Sequence, residues 1–536
     1  PSWSPGSYLM REYSRHIRWV KATQGNGEVL WCEQTEKGTW IIDWKKSELK
    51  KPSDDFSLSY EIYLHELTVR TSHVDNTHAF LHGPSYLMCL VGGEKNPQIE
   101  FRFPPLWSKL STSMDEVKGP REKFVYSAPD YDTLIDHPVE IGCQETDGFM
   151  VDGIPHALAF YGETYPHGQD LKKDMQTAVT EVAHMMGEIP FTHYQFITHF
   201  APKLYGGLEH LNSTALQFDG RRLSVRKDYL AFLSLTAHEY FHAWNVKRIR
   251  PKALGPFDYK NEAYTSMLWL AEGLTSFMDD LFIYRAGLST LEEYLDVVKS
   301  NLEGYYNTPG KKFHSLEASS FNAWIKLYRP DENSKNSSIS YYLKGGLVFM
   351  ALHSLMLEKG KRVDDLLNAL WKDYKNRPER GVEKEEVYAM IKEIAGSDIL
   401  AEFQRMNETT EDINFESVMK RMGCELVWQD GAPVWLGAEW DFAGDRALVK
   451  TVLLDSPAAK SGLNAGDELI SLNGLRVLKD DVEKFAQNMK IDVNYEFTVA
   501  RLGKLTKLDV RFDKGPRSLK EIKIIDRVVA EKAFKR

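Results

Sequence analysis

His238-Glu239-Tyr240-Phe241-His242 constrains this chain more than any other run in it. Two histidines four apart share a face only on a helix, about one turn apart, where both imidazoles reach a single Zn²⁺. Glu239 lies beside that face, within reach of a water on the metal. The chain has 536 residues and 16 histidines, and chance yields about 0.03 such matches in a chain of that composition. A catalytic zinc needs a third protein ligand and an open position. Trp269-Leu270-Ala271-Glu272-Gly273-Leu274 offers Glu272, a carboxylate in an apolar stripe, costly there unless it is coordinated. Asp279 returns to the same helical face and is placed to accept a hydrogen bond from a ligand histidine, with solvent exposure as its alternative. The expectation is one Zn²⁺ per chain on His238, His242 and Glu272, with Glu239 as general base.

Length and composition set the frame for that site. The chain is long enough for about three or four domains. Its net charge is −10, with 67 basic against 77 acidic residues, so nothing in it draws it globally to nucleic acid. The apolar run Gly345 to Leu357 is too short to span a bilayer. Four cysteines, Cys32, Cys89, Cys143 and Cys424, form no C-x-x-C pair and hence neither a disulfide framework nor a thiolate zinc site. The chain starts at Pro1, which leaves the compartment open. Low cysteine use leans toward the cytoplasm, and a periplasmic or secreted location is compatible.

The periodicity changes twice. Residues 1–160 read as strands punctuated by turn clusters such as Gln24-Gly25-Asn26-Gly27, an all-β, sandwich-like domain. Residues 161–421 read as mainly helical, with apolar stripes at three-and-four spacing over Lys227 to Val246 and Asn261 to Ala286, and further helices at Leu291 to Tyr305, Tyr341 to Leu357, Val363 to Tyr374 and Lys384 to Ala395. Strands return in 422–515, at Ala447 to Leu454, Glu468 to Leu472 and Tyr495 to Arg501, with a short helix at Asp480 to Met489. Residues 516–536 are basic and read as a solvated tail.

H-E-x-x-H followed by W-L-x-E-G resembles the gluzincins, zinc peptidases with a His-His-Glu site. Trp3-Ser4-Pro5-Gly6-Ser7-Tyr8, then Arg11-Glu12-Tyr13 and Arg15-His16, and Trp244-Asn245-Val246-Lys247-Arg248-Ile249-Arg250-Pro251 narrow the likeness to the glycyl aminopeptidase family. The resemblance covers nearly the whole chain. It implies a multidomain α+β protein with a mainly helical, thermolysin-like zinc peptidase domain and a C-terminal PDZ domain. The activity implied is removal of N-terminal residues, small ones such as Gly and Ala favoured, from peptides or proteins with a free N-terminus.

Two more site residues come with that likeness. Gly206-Gly207-Leu208-Glu209-His210 resembles the G-x-M-E-N segment whose glutamate holds the substrate's α-amino group, with Leu and His standing where that segment has Met and Asn. Tyr341-Tyr342-Leu343-Lys344-Gly345 resembles the Y-x-K-G segment whose tyrosine, here Tyr342, stabilises the oxyanion. Ser456 to Gly474 looks like the central stretch of a PDZ domain, whose Trp435-Leu436-Gly437-Ala438 loop is a candidate peptide-carboxylate site; a structural cap or a dimer contact is the alternative. Two other functions stay open at this level: a zinc endopeptidase that captures substrates through the PDZ domain, and a PDZ scaffold with a vestigial protease domain.

Overall fold

The computed structural model describes residues 1–47, 55–93, 95–119, 123–166, 168–378 and 380–536. It divides into two compact units, Pro1–Tyr264 with Phe282–Ser289 and Leu370–Glu383, and Thr265–Leu281 with Thr290–Ala369 and Lys384–Arg536. No helix among the described residues is long and apolar enough to cross a membrane.

The first unit opens with three small antiparallel sheets. The first joins Thr39–Asp43, Val29–Glu36, Ile17–Gln24 and Phe56–Ile62, in that order. Its first hairpin turns at Gly27, whose φ of +88° suits glycine and whose N–H closes on the Gln24 carbonyl at 2.8 Å. Phe101, Tyr126, Leu134, Val139 and Ile141 fill a core between short strands and the one-turn helix Tyr131–Ile135.

The domain boundary expected at residue 160 falls inside a strand. Ile154–Gly162 pairs antiparallel with Glu145–Val151 and parallel with Tyr194–Phe200, which in turn runs parallel to Ser213–Phe218, and Tyr205–Glu209 closes the sheet as an antiparallel edge. Residues 145–151 and 154–162 therefore share one sheet with Tyr194–Phe200, Ser213–Phe218 and Tyr205–Glu209. A parallel pair needs a long crossover, and here the crossover contains the helix Leu171–Met186, started by the Asp170 carboxylate on the Lys173 N–H and stopped at Gly187 (φ +74°). The helix Arg226–Phe241 packs against Leu171–Met186 and against the strands Tyr205–Glu209 and Ser213–Phe218. Leu208 and Ala215, both fully buried, lie in that layer.

The second unit is helical and then β. Helices span Leu291–Tyr306, Tyr341–Leu357, Lys384–Ala395, Ser397–Glu408 and Phe415–Arg421. Three expectations change here. The helix expected from Asn261 begins at Trp269, because the segment before it is irregular. The helix expected over Asp480 to Met489 is two short ones, Lys479–Glu483 and Phe485–Asn488. The tail is not solvated: Ser518–Ile524 pairs antiparallel with Cys424–Gln429, and the helix Arg527–Phe534 buries Ala530, Ala533 and Phe534. The register shift between Val427 and Trp428 explains the pattern: Leu519 lies before it and Ile522 and Ile524 after it on the covered side, while Lys520, Glu521 and Lys523 are exposed.

Between those two paired strands sits a separate sheet of six, whose main order is Ala438–Ala443, Arg446–Val452, Glu468–Leu472, Asn494–Arg501 and Lys504–Arg511, with the short strand Leu475–Arg476 paired to Glu468–Leu472. It has its own core around Ala447, Val449, Leu463, Leu469, Phe497 and Phe512.

Candidate metal centre

The residues named from the sequence fall in both units. In the first, His238 and Glu239 occupy the last turn of Arg226–Phe241 and His242 caps it. The two imidazoles lie 4.7 Å apart between ring centres, at 85°. His238 is half-buried, while Glu239 and His242 are buried. His242 Nδ1 sits 2.6 Å from the Asn245 carbonyl oxygen, an acceptor without a proton of its own. That contact holds the proton on Nδ1 and leaves Nε2 as a neutral donor atom for a metal. The sequence reading missed this partner, because a backbone carbonyl leaves no side-chain signature, although Asn245 lies in the quoted motif.

The strand Tyr205–Glu209 brings the glycine pair to the same place. A Cβ on Gly207 would lie 2.1 Å from Glu239 Oε1, so the strand backbone runs directly against the Glu239 carboxylate. Glu209 ends the strand and is 4% exposed. One carboxylate oxygen each from Glu209 and Glu239, and one ring nitrogen of His242, lie within 4.8 Å of one another. On its other side Glu209 meets the opening segment. Gly6 has φ +78°, and a Cβ there would fall 2.4 Å from Glu209 Oε1. Glycine at position 6 is thus needed twice, for the conformation and for the approach. A cavity of about 150 Å³ adjoins Glu209, walled by Trp3, Tyr8, His82, Lys247 and Tyr259 among others.

In the second unit Glu272 lies in a π-helical turn, Trp269–Gly273, that leads into the helix Leu274–Arg285. Such a turn re-aims the side chains it carries and is frequent at functional sites. Glu272 is 2% exposed. The motif glycines have a shared purpose: a Cβ on Gly273 would lie 2.8 Å from Gly345 Cα, and one on Gly345 2.7 Å from Gly273 Cα. Backbone contact at that pair seats Tyr341–Leu357 against the π turn. Tyr342 is half-buried at the start of that helix. Burial first, and then the Glu272 charge, push its hydroxyl well above the usual tyrosine range, so it stays a proton donor. Tyr341 stacks on it at 4.7 Å but is wholly buried. Asp279 is half-buried and its Oδ1 accepts the Asp280 N–H at 2.6 Å.

Two imidazoles one turn apart, one with its tautomer fixed for ligation, suit Zn²⁺ by donor type and spacing, as does a buried carboxylate.

The family model described as M61 glycyl aminopeptidase matches residues 231–348, and that of the peptidase M61 N-terminal domain matches residues 1–143. A crystal structure of an aminopeptidase N family protein from Idiomarina loihiensis is 27% identical, covers 100% of this chain and 94% of that one, and superposes with a TM-score of 0.91. An M1 zinc metallopeptidase from Deinococcus radiodurans, 13% identical over 74% of this chain and 85% of that one, superposes at 0.44. A probable periplasmic serine endoprotease DegP-like protein of Pseudomonas putida (strain W619) is 39% identical over 71 residues, 13% of this chain; the chain spans 15% of the length of that curated relative.

Proposed function

This chain is a metallopeptidase of the M61 glycyl aminopeptidase family, and from that premise we propose that it is a zinc aminopeptidase that releases N-terminal residues, small ones such as Gly and Ala preferred. Glu209 carries the reading: a buried carboxylate grouped with Glu239 and His242, at the end of a strand, is where an α-ammonium would place the first peptide bond beside the catalytic base. The close packing of Gly6 on that carboxylate favours a small first residue.

In this proposal one Zn²⁺ per chain is held by His238, His242 and Glu272, with Asp279 orienting a ligand histidine. When bound, the ion supplies Lewis acidity for the scissile carbonyl and lowers the pKa of water. Glu239 takes the proton from the attacking water and passes it to the leaving amine. The Tyr342 hydroxyl donates to the oxyanion. Gly206 and Gly207 leave the strand backbone open to pair with the peptide.

Two expected results test it. Glu209→Gln lowers kcat/KM on free-amine arylamides roughly ten- to a hundredfold, the scale of one charge-assisted contact, with zinc unchanged, while N-acetylated peptides are poor substrates of the parent. Internal cleavage of N-acetylated peptides at the same rate would replace the aminopeptidase with an endopeptidase. Metal analysis finds about one zinc per chain, and Glu272→Ala loses both metal and activity. Full zinc occupancy in that variant would remove Glu272 from the ligand set.

We also propose that residues 432–515 are a PDZ domain, that the peptidase comprises about 144–431 with 516–536, and that the module takes a peptide on the edge strand Ala438–Ala443. What supports this is the antiparallel sheet and the positive φ of Gly462, Gly466 and Gly474 at its turns.

A further inference from the structure

Apart from the Asn245 carbonyl, the segment after the H-E-x-x-H helix, Trp244 to Arg248, has no part in the chemistry above, yet Trp244, Lys247 and Arg248 are each tied down. Trp244 Nε1 donates to the Glu188 carbonyl at 2.9 Å. Arg248 donates to the carbonyls of Ala243 (2.6 Å), Leu211 (3.0 Å) and Pro190 (2.9 Å). Lys247 Nζ meets Asp136 Oδ1 at 2.7 Å, with both side chains nearly buried. Val246, between Asn245 and Lys247, has φ +131°, an outlier for a β-branched residue that persists only where its surroundings over-determine it.

Asp136 is where the second chain segment arrives. Besides Lys247 it accepts the Leu211 N–H on Oδ2 at 2.8 Å and His210 Nδ1 on Oδ1 at 3.2 Å. His210 and Leu211 directly follow Glu209. Burial alone would raise the Asp136 carboxyl; the Lys247 ammonium and His210 hold it well below the usual carboxylate range. One ionised carboxylate thus binds the residues just after Glu209 and the segment just after His242.

We propose that Asp136 is the positioning residue that fixes Glu209 relative to the H-E-x-x-H helix, so that substrate amine recognition stays in register with the catalytic end of that helix. This rests on the amine-binding reading of Glu209. Asp136 touches no reacting atom and acts through Glu209, with Lys247 as its anchor and Arg248, on the Leu211 carbonyl, as a second tie.

The test is a double-variant cycle on the full chain, with kcat and KM for an alanyl arylamide, and zinc content, measured for the parent, Asp136→Asn, Glu209→Gln and the double variant. Asp136→Asn raises KM about tenfold with zinc unchanged, the scale of a weakened charge-assisted contact. In the Glu209→Gln background the same substitution adds less than about twofold, since coupled residues are non-additive. A residue that merely held the fold would cost the same in both backgrounds, and that result, or a loss of zinc, overturns the proposal. Asp136→Glu keeps the charge but adds a methylene that displaces the residues the carboxylate holds, and it carries the same cycle if the asparagine variant does not fold. No effect of Glu209→Gln by itself would instead strike the amine-binding reading, which separates the two failures.

Discussion

Glu239→Gln is expected to lower kcat by about 10²–10⁴-fold, the usual contribution of a positioned general base, while zinc content stays at the parent's level. The expectation has a steric side. Glu239 is 5% exposed, in a turn where Ala237, Tyr240 and Phe241 are buried as well, and the amide keeps its shape, so the fold and the two imidazoles are undisturbed. What is lost is the ability to take a proton. Gly207→Ala approaches the same carboxylate from the strand: its Cβ would lie 2.1 Å from Oε1, so the carboxylate or the strand must move. That variant should lose turnover with the base still chemically intact, and by less than Glu239→Gln. Metal analysis beside kcat on an alanyl arylamide reads both. Near-parent turnover of a zinc-loaded Glu239→Gln protein would remove Glu239 from the role of base.

The parts of this site that were legible in the sequence are those written in side-chain spacing. His238 and His242 follow from the helical repeat, and the stripe of Leu270, Leu274, Met278 and Leu281 is buried throughout, as its period requires. Glu209, which ends the strand Tyr205–Glu209, is singled out through the resemblance of Gly206-Gly207-Leu208-Glu209-His210 to an amine-binding segment. What stayed hidden depends on backbone. The π turn at Trp269–Gly273 inserts no unusual residue, so nothing marks where the helix widens and re-aims Glu272. The glycines of two motifs far apart in the chain, Gly273 and Gly345, have meaning only against each other. Asn245 acts through its carbonyl, and any residue has one. The strand that crosses residue 160 was hidden for a related reason: Ile154–Gly162 has the composition of the strands before it, and only its parallel partner Tyr194–Phe200 shows which sheet it joins. The basic character of 516–536 masked a half-buried strand, because the irregular pairing around Lys520 breaks the simple alternation of inward and outward residues.

That buried tail makes two deletions of the C-terminal module behave differently. Joining Gly431 to Pro516, with 432–515 removed, should give soluble protein that cleaves small arylamides near the parent rate. The ends are already adjacent: a Cβ on Gly431 would lie 2.1 Å from the carbonyl oxygens of both Gly515 and Pro516, and Gln429 pairs with Ser518. The join leaves a four-residue loop, Asp430-Gly431-Pro516-Arg517, of ordinary hairpin length. The module keeps its own core. The excision loses the partly exposed Lys335–Glu439 ion pair, worth little, and the Asn336 side-chain hydrogen bonds to the Val452 carbonyl and from the Leu454 N–H, whose Asn336 groups can turn to water. Truncation after Gly423 removes far more. The strands Cys424–Gln429 and Ser518–Ile524 go together, and so does the helix Arg527–Phe534, whose Phe534 ring packs 5.0 Å from that of Tyr294. His353 Nε2 loses the Ala533 carbonyl at 2.9 Å, and Arg362 loses those of Lys532, Ala533 and Lys535. Emptying one buried phenylalanine site costs about 3–5 kcal/mol, against a typical stability of about 5–15 kcal/mol. The truncated chain should therefore be insoluble or melt far below the parent, while the excised chain melts close to it. A truncated protein that unfolds at the parent temperature would show that 516–536 is not part of the peptidase core, and an excised one that does not fold would show that 432–515 is needed for the fold.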